Sequence, residues 1–219
     1  MPITVKAPEP RQLLVVLLLD TSASMAVDGK IDVLNDSVRR MLNVFKKIEI
    51  PGCQIDLSVI TFGGEAAVHM PPSNVQDVEW VPIGTSGNTP MGAAISLATK
   101  LLNDESVVSR RSYKPNLVLV SDGIPTDEWR KPLELMGSSE HGKRAFRFAV
   151  GIGSDLKFDV LKDFAGKDGE VVPIEKVELL TDFFRYVTVT ITQVAKSPVV
   201  SQADTPTFKV FPTNEIIEF

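Results

Sequence analysis

The chain has 219 residues, a formal net charge of −5 and a single cysteine, Cys53. This length suits one α/β domain with a sizeable core better than two domains, and a mildly acidic chain without a basic stripe is not expected to bind nucleic acid or an anionic membrane. One cysteine excludes an internal disulfide and, with only two histidines, argues against a thiolate or imidazole metal site.

The first predicted strand is an unbroken apolar run. After an extended lead-in over residues 1–12, residues 13–19 carry no polar side chain, which is typical of a strand covered on both faces in a parallel sheet. The run is far too short to span a membrane and no basic leader precedes it, so we predict a cytoplasmic protein. It ends at Asp20, with Ser22 and Ser24 following, and ligands of such sheets collect at the carboxyl ends of strands.

These three side chains offer hard oxygen ligands. A carboxylate beside two hydroxyls suits a small divalent cation such as Mg²⁺, which prefers octahedral oxygen coordination. Serines that follow a strand are also ordinary N-caps of the next helix. The short motif alone leaves both interpretations open.

A helix and a hairpin are predicted next. Apolar residues at three- and four-residue steps over 31–48 indicate an amphipathic helix. Alternation over 55–62, two glycines and a shorter second strand over 65–70 indicate a β-hairpin, whose second strand lies at a sheet edge and is closed by Pro71. Cys53, at the start of this hairpin, is expected to be a buried apolar thiol and not a nucleophile.

A loop rich in glycine and hydroxyl groups covers residues 81–91. It contains no G-K-[ST] sequence, so it is not a phosphate-binding loop of the Walker type. Thr89-Pro90 is typical of an N-cap and first residue of a helix, which by itself explains the threonine. The next buried strand, over 117–120, again ends at a carboxylate, Asp122.

The rest of the chain continues the alternation. The pattern predicts a helix over 126–136, a strand over 144–150, a helix over 156–164, a strand over 170–174 and a helix over 179–194. Residues 187–192 also alternate as a strand would, but the longer window favours the helix. The prolines beyond Lys196 indicate a tail, in which residues 208–211 are candidates for an added strand or a partner contact.

Strands that alternate with helices imply a three-layer, doubly wound α/β fold with a mostly parallel sheet, and the hairpin adds one antiparallel edge strand. In this fold the ends of the two most apolar strands lie side by side, which brings Asp20 and Asp122 together. The loop of Thr89 opens a helix at the same edge. Helix capping explains each hydroxyl singly, but it does not explain why both central strands end at an aspartate.

This arrangement resembles the von Willebrand factor type A (VWA) family, whose metal-ion-dependent adhesion site (MIDAS) consists of D-x-S-x-S, a loop threonine and a loop aspartate. Asp20-Thr21-Ser22-Ala23-Ser24, Thr89 in G-N-T-P-M-G and Asp122 in S-D-G match these three parts. The resemblance predicts a VWA domain over 13–195 and a tail over 196–219. It implies that Asp20, Ser22, Ser24, Thr89 and Asp122 bind Mg²⁺, for which Mn²⁺ or Ca²⁺ can substitute.

Within the family, the T-F-G-G, G-N-T-P-M-G-A-A and S-D-G-I-P-T-D segments most resemble the bacterial tellurium-resistance group of stand-alone domains. That resemblance implies a non-catalytic adaptor, on whose metal an Asp or Glu of a partner protein completes the coordination. It also implies partners in a bacterial stress or phosphorylation-signalling complex, such as a protein kinase or a phosphatase. The loops after Gly63, at 84–88 and at 124–131 would form the rim, in which Trp129 is either a contact residue or part of the core.

A magnesium-dependent phosphohydrolase that uses Asp20 is the alternative. Enzymes of the haloacid dehalogenase type carry D-x-D-x-[TV], in which the second aspartate is the general acid, and here Ser22 occupies that position. The sequence also has no G-x-S-x-G elbow or Ser/His/Asp arrangement. We therefore expect an interaction module and not an enzyme.

Overall fold

The computed structural model describes residues 9–153 and 158–196. In these ranges six strands form one sheet: Arg11–Asp20 (β1), Cys53–Gly63 (β2), Glu65–Asn74 (β3), Asn116–Ser121 (β4), Phe146–Ile152 (β5) and Glu170–Ile174 (β6). Their order is β3-β2-β1-β4-β5-β6, and every neighbouring pair is parallel except the β2–β3 hairpin. The predicted mostly parallel sheet with one antiparallel edge strand is confirmed.

Helices cover both faces of the sheet. They are Lys30–Lys47 (α1), Met91–Leu102 (α2), Arg130–Ser138 (α3), Phe158–Ala165 (α4) and Leu179–Lys196 (α5), and 3-10 turns cover Ala23–Gly29 and Gly142–Arg144. Buried side chains of α1 and α5 pack on one face, and those of α2, α3 and α4 pack on the other. The chain is therefore a three-layer α/β domain, and the helical interpretation of residues 179–194 is confirmed.

The central strand β1 explains the unbroken apolar run. Leu13, Val15, Leu17 and Leu19 belong to the core on the α1–α5 face, whereas Leu14, Val16 and Leu18 belong to the core on the opposite face. Alternate residues of a strand point to opposite faces, so a strand between two layers has no side that tolerates a polar residue. Burial of each such side chain contributes about 1.5–3 kcal/mol to the stability of the fold.

None of the helices that the structure describes is long and apolar enough to cross a membrane.

Several predicted boundaries are wrong. The strand predicted over 144–150 runs from Phe146 to Ile152, and β1 begins at Arg11 within the predicted lead-in. The edge strand β3 does not end at Pro71 but continues to Asn74, because one side of an edge strand needs no hydrogen-bond donors and tolerates proline. Helix α3 begins at Arg130 and not near Thr126, because the preceding residues form part of the loop that surrounds the candidate site. The tail segment 208–211 lies outside the described residues.

Cys53 at the start of β2 is only half-buried, so the expectation of a buried thiol holds in part. Burial nevertheless raises the pKa of the Cys53 thiol to about 11. At neutral pH the side chain is therefore a neutral thiol.

Candidate metal site

The candidate site lies where β1 and β4 end side by side. The two strands pair in parallel as far as Leu19 opposite Val120, so the next residues of each strand, Asp20 and Ser121, enter the same edge of the sheet. Asp20 is fully buried, and the side chain of Asp122 is 1% exposed. The expected convergence of the two aspartates at the carboxyl ends of the central strands is therefore observed.

The D-x-S-x-S segment connects the two aspartates through hydrogen bonds. The backbone N–H of Ser22 donates to Asp20 Oδ1 at 2.8 Å, and the hydroxyls of Ser22 and Ser24 lie 3.0 Å apart. Ser24 Oγ in turn donates to Asp122 Oδ1 at 2.7 Å. Ser22 stands at the N-cap position of the 3-10 turn but makes no side-chain capping bond. Its hydroxyl faces the aspartates, and the capping interpretation fails for Ser22.

Thr89 lies beside the same group but is not the N-cap that its sequence context predicts. Helix α2 begins at Met91, and the carboxylate of Asp127 accepts hydrogen bonds from the N–H groups of Gly92 and Ala93, both at 2.9 Å. Sequence analysis missed this cap because Asp127 comes from a loop about 35 residues further along the chain. The cap leaves the Thr89 hydroxyl for another role.

The position of the Thr89 hydroxyl follows from its contacts near Gly123. A Cβ built on Gly123 would lie 3.4 Å from Thr89 Oγ1 and 3.8 Å from Asp20 Oδ2, so these two oxygens border the same small space. Thr126 fixes the backbone of Thr89: Thr89 N–H donates to Thr126 Oγ1 at 3.2 Å, and Thr126 N–H donates to the Thr89 carbonyl at 3.0 Å. All five predicted residues thus meet at this edge of the sheet.

A further hydroxyl, missed by sequence analysis, supports Asp20. Ser121 Oγ donates to Asp20 Oδ2 at 2.5 Å and accepts a hydrogen bond from Gly123 N–H at 3.2 Å. Burial raises the pKa of Asp20 above its usual range, opposed by the hydrogen bonds from Ser121 and Ser22, and the nearby Asp122 raises it further. A buried carboxylate beside a second one favours a positive charge at the site.

Lys30 supplies a positive charge from the chain itself. Its Nζ lies 2.6 Å from Asp122 Oδ2, and its side chain is 17% exposed. No local pattern marks this lysine, because it precedes Asp122 by 92 residues and meets it only in the folded chain.

Backbone contacts hold the surrounding loops together. Ser86 N–H donates to the Thr21 carbonyl at 2.7 Å, and Ala23 N–H donates to the Gly87 carbonyl at 3.0 Å. These contacts need glycine at Gly63, where a Cβ would lie 2.3 Å from the Thr21 carbonyl oxygen. The loops that contain Gly63 and residues 84–88 therefore border the site, as predicted.

The structure decides between the two roles left open for Trp129 and adds one feature to the rim. Trp129 is 7% exposed within the α2–α4 core, so it is a core residue and not a contact residue. Next to Asp122 a polar cleft of about 720 Å³ opens, whose lining includes Asp28, Lys30, Glu175 and Glu178. The turn before α1 and the loop after β6 thus belong to the rim.

The donor set suits a hard cation. Within residues 9–153 and 158–196 no group of three or more His, Cys, Asp or Glu side chains converges, so hydroxyls and water would complete the coordination of a cation held by Asp20 and Asp122. Two carboxylates and neighbouring hydroxyls are ligands that Mg²⁺ and Mn²⁺ accept.

Comparisons with known proteins identify one family. The family model described as the von Willebrand factor type A domain matches residues 15–185. No curated protein was found to match the sequence. Among solved structures, a von Willebrand factor type A protein from Catenulispora acidiphila is similar with a TM-score of 0.66 and 16% identity, covering 83% of this chain and 43% of that chain.

Two further structures are similar over most of the chain. The ArnB paralog VWA2 from Sulfolobus acidocaldarius has a TM-score of 0.60 and 22% identity, covering 85% of this chain and 46% of that chain. Proximal thread matrix protein 1 from the mussel byssus, with a zinc-occupied MIDAS motif, has a TM-score of 0.63 and 16% identity, covering 84% and 48%. The present chain thus spans less than half the length of each of these proteins.

Proposed function

Because this chain belongs to the von Willebrand factor type A family, we propose that it is a non-catalytic interaction module that captures a partner carboxylate on a divalent cation. The observation that carries this proposal is the hydrogen-bonded series from Asp20 through Ser22 and Ser24 to Asp122, with the Thr89 hydroxyl beside it. The zinc-occupied MIDAS motif of the mussel protein supports it by analogy of fold.

The residues that would hold the cation are Asp20, Ser22, Ser24, Thr89 and Asp122, and we propose Mg²⁺, with Mn²⁺ or Ca²⁺ as substitutes. When bound, the cation would supply an electrophilic centre for an anionic ligand. The hydroxyls are neutral, so the two aspartates at most balance the charge of the ion, and a carboxylate from outside would enter as a further oxygen ligand at an open coordination position. The buried hydrogen bonds from Ser22 and Ser121 would hold Asp20 in a fixed orientation for this role.

The rim would select the partner. A partner residue that reaches Asp122 passes the polar cleft. Besides the Lys30–Asp122 pair, the cleft is lined by Asp28, Glu175 and Glu178 and by one further lysine, Lys176, so on balance it repels additional acidic groups and favours basic ones. The recognised segment would therefore carry one acidic residue for the cation with basic residues nearby.

The finer assignment rests on sequence resemblance. The T-F-G-G, G-N-T-P-M-G-A-A and S-D-G-I-P-T-D segments support membership in the bacterial tellurium-resistance group, and with it a cytoplasmic adaptor in a stress or phosphorylation-signalling complex. A protein kinase or a phosphatase is the partner class that this resemblance suggests.

The absence of a catalytic role is also part of the proposal. Asp20 is fully buried, and both of its oxygens accept hydrogen bonds, which makes it a poor nucleophile. Ser22 occupies the position of the general acid and cannot serve as one at neutral pH. Incubation with a generic phosphate ester and Mg²⁺ should give no turnover, whereas turnover that Asp20→Asn abolishes would favour the phosphohydrolase.

The capture of a carboxylate can be tested without knowing the partner. Random peptides displayed on phage are selected on the immobilised protein in Mg²⁺ and eluted with EDTA, with Asp20→Asn as the inactive control and Asp36→Asn, an exposed carboxylate of α1, as the matched active control. The proposal predicts peptides that share an Asp or Glu whose amide variant does not bind. Peptides that bind equally well in EDTA, or that lack an acidic residue, would contradict it.

A further inference from the structure

We propose that Lys30 is a built-in countercation that weakens binding of the metal ion until a partner carboxylate arrives. This inference rests on the proposed function and assigns a role to a residue outside the five-residue motif. It concerns how strongly the site holds a cation before a partner is present.

The geometry ties Lys30 directly to a proposed ligand. Lys30 Nζ lies 2.6 Å from Asp122 Oδ2, while Ser24 Oγ donates to Asp122 Oδ1, so donors of the chain itself engage both oxygens of this carboxylate. Because the side chain of Asp122 is 1% exposed, its charge is neutralised mainly by the ammonium and hardly by water. A divalent cation at the site would have to share Asp122 with Lys30 or displace it.

The backbone before Lys30 sets where this residue lies. Lys30 is the first residue of α1, and the turn leading to it contains Asp28 at φ 55° and Gly29 at φ 68°. Among the described residues, Asp28 is the one non-glycine residue with a positive φ. Aspartate and glycine adopt this left-handed conformation more readily than other residues, and here the two consecutive residues turn the chain so that Lys30 begins α1 within 2.6 Å of Asp122 Oδ2.

The position of Lys30 in its helix points the same way. The N-terminus of a helix carries a partial positive charge, so a lysine there is electrostatically unfavourable for the helix itself. The ion pair with Asp122 offsets this effect. A role in the site, and not in helix stability, therefore accounts for a lysine at this position.

A charge count gives the functional consequence. With a divalent cation present, the two aspartates and Lys30 leave the site with one net positive charge, and a partner carboxylate brings it to neutrality. Without Lys30, the cation and the two aspartates are already neutral, and a further carboxylate adds a negative charge. Lys30 thus weakens binding of the cation alone and favours binding of the cation and the carboxylate together. Because such coupling is reciprocal, a carboxylate should tighten cation binding by the same factor by which the cation tightens carboxylate binding.

The test measures Mn²⁺ affinity by titration calorimetry, without a partner, in chloride and in acetate of equal ionic strength. The variants are Lys30→Met and Lys30→Gln, which remove the charge, and Lys30→Arg, which keeps it. The matched control is Lys46→Met, because Lys46 lies on the same helix and pairs with Glu79 at the same 2.6 Å distance. Thermal unfolding in EDTA shows which neutral variant folds.

We expect the neutral variants to bind Mn²⁺ at least roughly tenfold more tightly than the wild type in chloride, since unit charges a few ångströms apart near a protein surface interact by more than the equivalent free energy. Acetate should tighten Mn²⁺ binding of the wild type and of Lys30→Arg more than that of Lys30→Met. Unchanged or weaker Mn²⁺ affinity in both neutral variants would overturn the inference while leaving the metal site intact. Absence of Mn²⁺ binding in the wild type and in every variant would overturn the proposed function and, with it, the role of Lys30.

Discussion

Ser121→Ala probes the support of the buried aspartate. The substitution removes the hydroxyl that donates to Asp20 Oδ2 at 2.5 Å, and no water can replace it easily because Asp20 is fully buried. A hydrogen bond to a charged group contributes about 1.5–3 kcal/mol. We therefore expect the metal-free protein to lose about 2 kcal/mol of unfolding free energy, or roughly 4–8 °C in melting temperature for a domain of this size.

The assay is urea and thermal unfolding in EDTA, with Ser37→Ala as the matched control. Ser37 is also a buried serine, 1% exposed, and its hydroxyl lies 3.0 Å from Thr181 Oγ1, so its hydrogen bond is neutral. That variant should lose only about 1 kcal/mol. A loss for Ser121→Ala no larger than the loss for Ser37→Ala would refute the idea that Ser121 stabilises a buried charge.

Three further predictions follow from the fold. Asp127→Ala should lower the free energy of unfolding in urea by roughly 1–2 kcal/mol, because it uncaps the N–H groups of Gly92 and Ala93. The control Asp36→Ala breaks only exposed ion pairs and should lower it by less than about 1 kcal/mol. Equal losses would contradict the cap. Burial raises the pKa of Cys53 to about 11, so less thiolate is present at any given pH than for a free cysteine. The alkylation rate of Cys53, followed by mass spectrometry, should therefore rise with pH with a midpoint near 11 and not near the unperturbed value of about 8.5. Chelation of divalent ions should leave the far-ultraviolet circular dichroism unchanged, because the apolar core and not the rim holds the sheet and helices together; loss of helical signal would show that the ion is structural.

The fold could be predicted from sequence because its signals are local. Residues 13–19 are apolar without interruption, which is typical of a strand between two helical layers, and the helices show their periodicity over many residues. The convergence of the proposed site residues could be predicted because parallel strands bring their carboxyl ends to one edge, where Asp20 ends β1 and Asp122 follows β4.

The remaining features depend on contacts between distant parts of the chain. Asp127 replaces Thr89 as the cap of α2, although Thr89 has the better local context, because a carboxylate from another loop reaches the helix N-terminus. Trp129 fits the pattern of a core or a surface residue equally well, and only the packing of α2 against α3 decides for the core. Lys30 and Ser121 carry no sequence signal of their roles. Lys30 acts through Asp122, 92 positions away, and Ser121 acts through Asp20, 101 positions away.

The most direct test of the central claim is a calorimetric titration of Mg²⁺ and Mn²⁺ into the wild type, Asp20→Asn and Asp127→Asn. Both variants remove one carboxylate at the same edge of the sheet, but Asp127 caps α2 and lies outside the proposed ligand set. We expect one binding site in the wild type, its loss in Asp20→Asn and its retention in Asp127→Asn. No binding in the wild type, or equal binding in Asp20→Asn, would contradict the claim that Asp20 and its neighbours form a metal-dependent interaction site.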